Sequence, residues 1–330
     1  MRIGDTRFSP GDAFLLFDEL PFDWEAELPI VLSDKVELSE TPFELLDSLE
    51  EGQAGFLLPG YHLPGGVNHC CLRIPRMREW RTFGLARDAF FESLTLLRLV
   101  SPVPYRVEGQ FSVDDDCRVS GTFALYHVTA PSVSHPALRL SSCQVAACLR
   151  LQPIVNHWRE LSLARITTAL TYFGQVSNGL VWSRQMATMG LFAALEALFD
   201  PEGNGDKADL LARRVASYLE DVPTTCQVDA SALHRFTTKA YRQVRSKEIH
   251  GGVASLIGEA STDPAAERAV VFCNLHEMVR LSLIKTAACP QDEILATYRS
   301  KAAFRDRIQE HCGLRGGKLS AAPMHFVSLT

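Results

Sequence analysis

The sequence predicts an α+β protein in which a smaller mixed or β-rich N-terminal part precedes an all-α helical bundle. Three observations support this. Up to about residue 150, short apolar runs alternate with Pro and Gly, as in "GFLLPGYHLPGG" and "PSVSHPAL". From about residue 156, apolar residues recur at helical spacing over long runs. At 330 residues the chain exceeds the usual size of a single core. The expected division is therefore residues 1–155 and 156–330.

In chain order, the first clear element is a helix over "LARDAFFESLTLLRL", residues 85–99, whose apolar positions fall on one face. "YRVEGQFSV" and "CRVSGTFALYHV" alternate as two strands around a turn at Asp114, Asp115 and Asp116, which predicts a hairpin. Five helices then follow: "LSLARITTALTYF", "SRQMATMGLFAALEALF", "ADLLARRVASYLEDV", "SALHRFTTKAYRQVRSKEIH" and "DPAAERAVVFCNLHEMVRLSLIKTA". The segments between them, such as "DPEGNGDK" and "PTTCQVDA", supply the Gly, Pro, Asn and Asp that start and stop helices. A shorter helix in "DEILATYRSKAAFRDRIQE" leads to a Gly- and Ser-containing tail.

With 46% hydrophobic and 22% charged residues, the composition excludes a largely disordered or fibrous chain. No apolar run reaches the roughly 20 residues of a membrane span, and the opening "MRIGDTRFSPGDAFLLFDEL" is too acidic for a secretory signal. Nine cysteines without a C-x-x-C pair fit reduced thiols, so a cytoplasmic protein with no membrane partner is expected. Charge is uneven. Residues 1–51 carry 14 acidic against 3 basic side chains, a net of −11, and since the whole chain carries −6, the other 279 residues carry +5. A phosphate backbone responds to a local basic strip and not to the total.

Several familiar sites are excluded. There is no G-x-S-x-G, H-E-x-x-H or dinucleotide fingerprint; "GLRGGKLS" lacks the first glycine of a phosphate loop and has Leu319 where Ser or Thr belongs. "DPEGNGDKADLL" ends in Leu211, where a calcium loop needs a bidentate Glu. Three consecutive carboxylates at 114–116 rarely converge on one ion. His62, His69, Cys70 and Cys71 have zinc-ligand chemistry but match no standard zinc spacing. Glu196 interrupts an apolar helix face, either as a partly exposed residue or as a buried anchor for an arginine such as Arg214.

The most informative stretch is "YRQVRSKEIHGG", residues 241–252. Between Arg235 and Lys247 there are five basic residues (Arg235, Lys239, Arg242, Arg245, Lys247) and no acidic one. Their three- and four-residue spacing gives a helix with a positive strip, which suits a phosphodiester or is simply a solvated face. His250 adds a group that exchanges protons near neutral pH. Cleavage of RNA by its own 2′-OH needs a base, an acid and positive charge at the phosphorane-like transition state. Histidine and arginine supply all three. Residues five apart lie about 140° apart around an α-helix, so Arg245 and His250 would flank a groove, and Gly251 and Gly252 would end the helix beside it. A two-fold pairing of bundles would place two such pairs across one cleft.

The ordered runs "MGLFAALEALF", "LLARRVASYL" and "AYRQVRSKEIHGG" resemble the ApeA-like branch of the HEPN families over about residues 160–290. The pattern is a helical A-L-E-x-L-F, a later L-x-x-R-x-A, and a terminal Y-x-x-R-S-x-x-x-H-G, from which this chain departs by one extra residue between Tyr241 and Arg245. The resemblance implies a helical bundle that dimerises and acts as a metal-independent endoribonuclease, without a cofactor, in anti-phage defence or a toxin-like system. It makes Arg245 and His250 the catalytic pair. With the basic strip, the expected RNA-binding or cleft-supporting residues are Ser246, Lys247, Arg242, Lys239, Tyr241, Arg214 and Glu196, of which the resemblance itself matches Ser246, Glu196 and Arg214 to polar positions that brace or line the cleft. A non-catalytic HEPN module that binds RNA or a protein is the alternative. Related toxins silenced by nucleotidylation carry a tyrosine where this chain has Gly252, so that control is not expected. The N-terminal part is expected to sense a trigger of phage origin, to bind a regulatory partner, or to shield the basic cleft with its carboxylates.

Overall fold

A computed structural model of the chain describes residues 8–17, 28–42, 45, 70–76, 83–101, 107–123, 140–181, 183–200, 206–220, 222, 229–246, 264–300 and 302–304. It is an α+β structure, with an antiparallel six-stranded sheet in the N-terminal half and helices after it. The strands are β1 (Ala13–Phe17), β2 (Ile30–Val31), β3 (Glu37–Glu40), β4 (Cys70–Ile74), β5 (Val107–Val113) and β6 (Val119–Phe123), in the order β2-β3-β4-β1-β5-β6.

β1 reads AFLLF because it sits inside the sheet and is covered on both faces, which removes the need for polar alternation. Ala13, Leu15 and Phe17 join the main core, while Phe14 and Leu16 join a smaller cluster with Cys71, Phe111 and Val113 on the opposite face. Leu15 pairs with Leu72 of β4 and with Gln110 of β5. The predicted hairpin is β5–β6. Its turn is closed by Asp114, whose Oδ1 accepts from the N–H of Asp116 at 3.0 Å and of Arg118 at 2.7 Å. Gly121 is obligatory: a Cβ there would lie 2.3 Å from the Gln110 carbonyl oxygen.

The helices are α1 (Phe83–Val100), α2 (Ser142–Glu160), α3 (Ala164–Ser177), α4 (Arg184–Phe199), α5 (Lys207–Leu219), α6 (Ala230–Ala240), α7 (Pro264–Ala288) and α8 (Gln291–Tyr298). α2 is absent from the sequence expectation, and the boundary expected near residue 155 falls within it. Its start is a capping box: Ser141 Oγ accepts from the Gln144 N–H at 3.3 Å, and Gln144 Oε1 accepts from the Ser141 N–H at 2.9 Å. Of the final predicted run, residues 292–310, α8 and helical residues 302–304 are described, and the remainder lies outside the described residues.

The main buried cluster is continuous from the sheet through α1 to the bundle: Leu15, Leu38 and Leu72 share it with Phe90 and Leu94 of α1 and with Leu195 of α4. α7 runs through the middle of the bundle against α3, α4 and α5. Buried nearly all round in its second half, it still carries polar groups, and each has a partner. Arg280, 0% exposed, donates to both Glu277 carboxylate oxygens at 2.7 Å and to the Leu99 carbonyl at 2.7 Å. Lys285 Nζ donates to the Tyr218 carbonyl at 2.6 Å, and the Thr286 hydroxyl meets the Tyr218 phenol at 2.9 Å. Among the described residues no helix is long and apolar enough to cross a membrane.

Candidate functional site

The site is built on the end of α4 and the end of α6. α4 starts at Ser183, whose Oγ accepts from the Met186 N–H at 3.1 Å, and buries Leu191, Phe192, Leu195 and Leu198. Its last turn closes at Asp200, in the left-handed region at φ 39°, where the N–H donates to the Glu196 carbonyl at 2.8 Å. Two guanidiniums meet this helix end. Arg214 of α5 donates to the Phe199 carbonyl at 2.7 Å and to the Asp200 carbonyl, while Arg165 of α3 pairs with the Asp200 carboxylate at 2.8 Å. Cations at a helix C-terminus offset its exposed carbonyls and dipole. Arg214 is therefore a buried brace of α4, 3% exposed.

The cation that meets Glu196 is Arg245, in an ion pair made through Nε. Sequence proximity suggested Arg214, but the Arg214 guanidinium is spent on the carbonyls one turn further along. Both Glu196 and Arg245 side chains are 25% exposed, so the pair sits at the protein surface with part of its hydration removed.

Arg245 is placed there by a change of helix type. α6, capped by Asp229 on the Ala232 N–H at 2.6 Å, does not continue as an α-helix through the predicted run. Residues Tyr241–Arg245 form a π-turn, in which the Ser246 N–H donates to the Tyr241 carbonyl five residues back. The wider turn displaces the residues beyond it from the face a continuous α-helix would give them, and such turns favour functional sites. Within it, the Arg245 guanidinium lies 4.7 Å from the centroid of the Tyr241 ring. Tyr241 in turn packs edge-on against Phe192 of α4 at 5.7 Å. Its phenol donates a hydrogen bond to Glu196, and burial, followed by the charge of Glu196, pushes its pKa up to about 12. Carboxylate, ring and guanidinium thus form one fixed unit.

The positive strip is less uniform than the sequence suggests, because α5 lays acids across it. Arg242 is ion-paired with Asp206, the cap residue of α5, whose carboxyl is held below its usual range first by that hydrogen bond. Asp209 meets both His234 Nε2 at 3.0 Å and Arg213 at 2.8 Å. Lys239 and Ser246 are exposed, as is Arg235. Sequence reasoning missed Asp206 and Asp209 as parts of this surface. The signal was the N-cap pattern of "GDKADLL", which fixes the start of α5 but not the neighbour it faces.

Lys247 and His250 lie outside the described residues, as do His62 and His69. Cys70 and Cys71 are adjacent on β4 and point to opposite faces, one into each buried cluster, so they cannot share an ion. Burial pushes the Cys70 thiol up to about 12 and the Cys71 thiol higher. Among the described residues no three His, Cys, Asp or Glu side chains converge as metal ligands. Comparison with protein-family models, curated proteins and solved structures finds nothing that matches this chain.

Proposed function

We propose that this chain is a HEPN-type endoribonuclease that cleaves RNA by 2′-OH transesterification, acting in the cytoplasm as a two-fold pair. The observation that carries the reading is the Arg245 unit. A guanidinium is approached on its Nε side by Glu196, rests on the Tyr241 ring, and stays partly open to solvent at the end of a basic helix. An arginine held this way loses little side-chain freedom when a phosphate arrives. Its terminal amino groups suit a bidentate grip on a phosphodiester.

In this mechanism His250 of one copy takes the 2′-OH proton, and the 2′ oxygen attacks phosphorus. Arg245 stabilises the charge that builds on the non-bridging oxygens. The P–O5′ bond breaks as the imidazolium of the second copy protonates the leaving oxygen, giving a 2′,3′-cyclic phosphate and a 5′-OH. The chemistry draws on protein groups alone. Lys239, Lys247, Arg242 and Ser246 line the strand's path, and Arg214 keeps α4 and so Glu196 in register. The resemblance further places the protein in phage defence or a toxin-like system, with residues 1–155 responding to a trigger.

The second reading, a HEPN module that binds RNA or a protein without cutting, draws on Arg242 and Arg245 each already having an acidic partner. Labelled RNA incubated in EDTA with wild type, Arg245→Ala and His250→Ala separates the two. The nuclease reading expects cyclic-phosphate ends from wild type and a loss of at least about 10²-fold in each variant. RNA retained uncut by all three proteins supports the module instead.

A further inference from the structure

Away from the Arg245 unit, a cavity of about 330 Å³ opens between the β2–β3 turn, α1, α2 and α3. That volume falls at the lower end of the range for small-molecule sites. Its apolar lining includes Ala89, Leu96, Val155 and Leu170. Ser93 lines it from α1. The residue is 4% exposed, and among the described residues its hydroxyl takes part in no hydrogen bond. Its oxygen is not sealed off from water, so its hydrogen-bonding capacity is open to whatever fills the cavity.

Two further uncommitted groups face the same space. Gln152 and Asn156 are one turn apart on α2, and neither amide is hydrogen-bonded among the described residues. Each presents a donor and an acceptor side by side, the pattern that pairs with the edge of a heterocyclic base. The charged rim argues against an anion. It holds Asp34, Asp88 and Glu92 against Lys35 and Arg159, with Arg159 bound to Glu92 at 2.6 Å and Asp88 paired with Arg87 at 3.7 Å. A phosphate brought here would find no excess of positive charge.

From this combination we infer that the cavity is a binding site for a small uncharged heterocycle, a nucleobase or nucleoside. The base packs against the apolar lining, with its polar edge on Gln152 and Asn156 and a further polar group on Ser93. The site draws on the sheet half through the β2–β3 turn and on the helical half through α2 and α3, so its occupant touches both. It is independent of the ribonuclease reading, because none of its residues belongs to the Arg245 unit.

The test is equilibrium titration of the full chain with adenosine, guanosine, cytidine and uridine, with their 5′-monophosphates, and with trinucleotides of the same bases. At least one nucleoside should bind saturably. In competition for the site the nucleoside occupies, its monophosphate and trinucleotide should be at least about tenfold weaker, and Gln152→Leu and Asn156→Leu should each weaken the nucleoside by about tenfold. Asn156 is exposed, so its variant reports on binding even if Gln152→Leu compromises folding. Arg245→Ala should leave nucleoside affinity unchanged. Failure of all four nucleosides to bind overturns the inference. So does a monophosphate or trinucleotide that displaces the bound nucleoside as well as the nucleoside itself does, or an Asn156→Leu variant with undiminished affinity.

Discussion

Glu196, in the last turn of α4, holds Arg245 through its Nε from the end of the π-turn, and Tyr241 lies against both. The two charges are three-quarters covered, so their attraction is stronger than that of a free surface pair but still screened by solvent. A double-mutant cycle of Glu196→Ala and Arg245→Ala, followed by urea unfolding, should give a coupling of about 1 kcal/mol. Fully additive losses would mean that the pair does not form in solution.

What the sequence reveals here follows the range of the interactions that decide each feature. α4, α5 and α7 are legible to within a few residues because their apolar spacing is local and strong. The β5–β6 hairpin is legible for the same reason, since Asp114 closes its turn within four residues. α2 is not, because Pro153 stands inside it and interrupts the helical pattern. The pairing of β1 with β4 is equally hidden, since it joins Leu15 to Leu72 across a long stretch of chain. At the site, the basic residues of 235–247 announce themselves, whereas their acidic partners Asp206 and Glu196 come from other helices. The π-turn has no composition of its own to read.

Gly174 of α3 marks the closest approach of α3 to α1. A Cβ there would lie 2.7 Å from Thr95 Oγ1 and 3.2 Å from its Cγ2. Thr95 cannot simply turn away, because its hydroxyl donates to the Phe91 carbonyl at 2.7 Å and accepts from the Asn178 amide at 2.9 Å. Gly174→Ala should therefore destabilise the protein by about 1–3 kcal/mol despite the better helix propensity of alanine. In the Gly174→Ala/Thr95→Ala double variant the combined loss should fall short of the sum, because the crowded atoms are gone. Thermal melts of the four proteins measure this; a neutral Gly174→Ala would show that α3 has room to shift.

Arg214 binds two carbonyls at the end of α4, so its replacement tests whether that end needs a planar fork. Arg214→Lys keeps the charge but offers a single ammonium, and Arg214→Met keeps the apolar stem alone. Both should lose stability, by about 2 kcal/mol or more for the methionine, with lysine in between. If lysine proves equivalent to arginine in urea unfolding, charge and not geometry is what the helix end requires.

His276 on α7 gives the pH dependence. Its ring meets the Ser177 hydroxyl at 2.7 Å and lies 4.8 Å from the Phe173 ring. Burial first, and then the charges of Arg280 and Arg98, lower its pKa from 6.5 to about 3. Between those two values the unfolded chain binds a proton that the native protein does not. Stability from this residue is therefore complete above pH 6.5 and is lost as pH falls toward 3. The loss should approach about 1.4 kcal/mol per pH unit within the window. His276→Gln removes the titrating group, so below pH 6.5 its urea-unfolding free energy should fall less steeply than that of wild type, by one proton's worth of slope. Parallel slopes from pH 4 to 6 would show that the imidazole is protonated in the native core, contrary to its burial near the charges of Arg280 and Arg98.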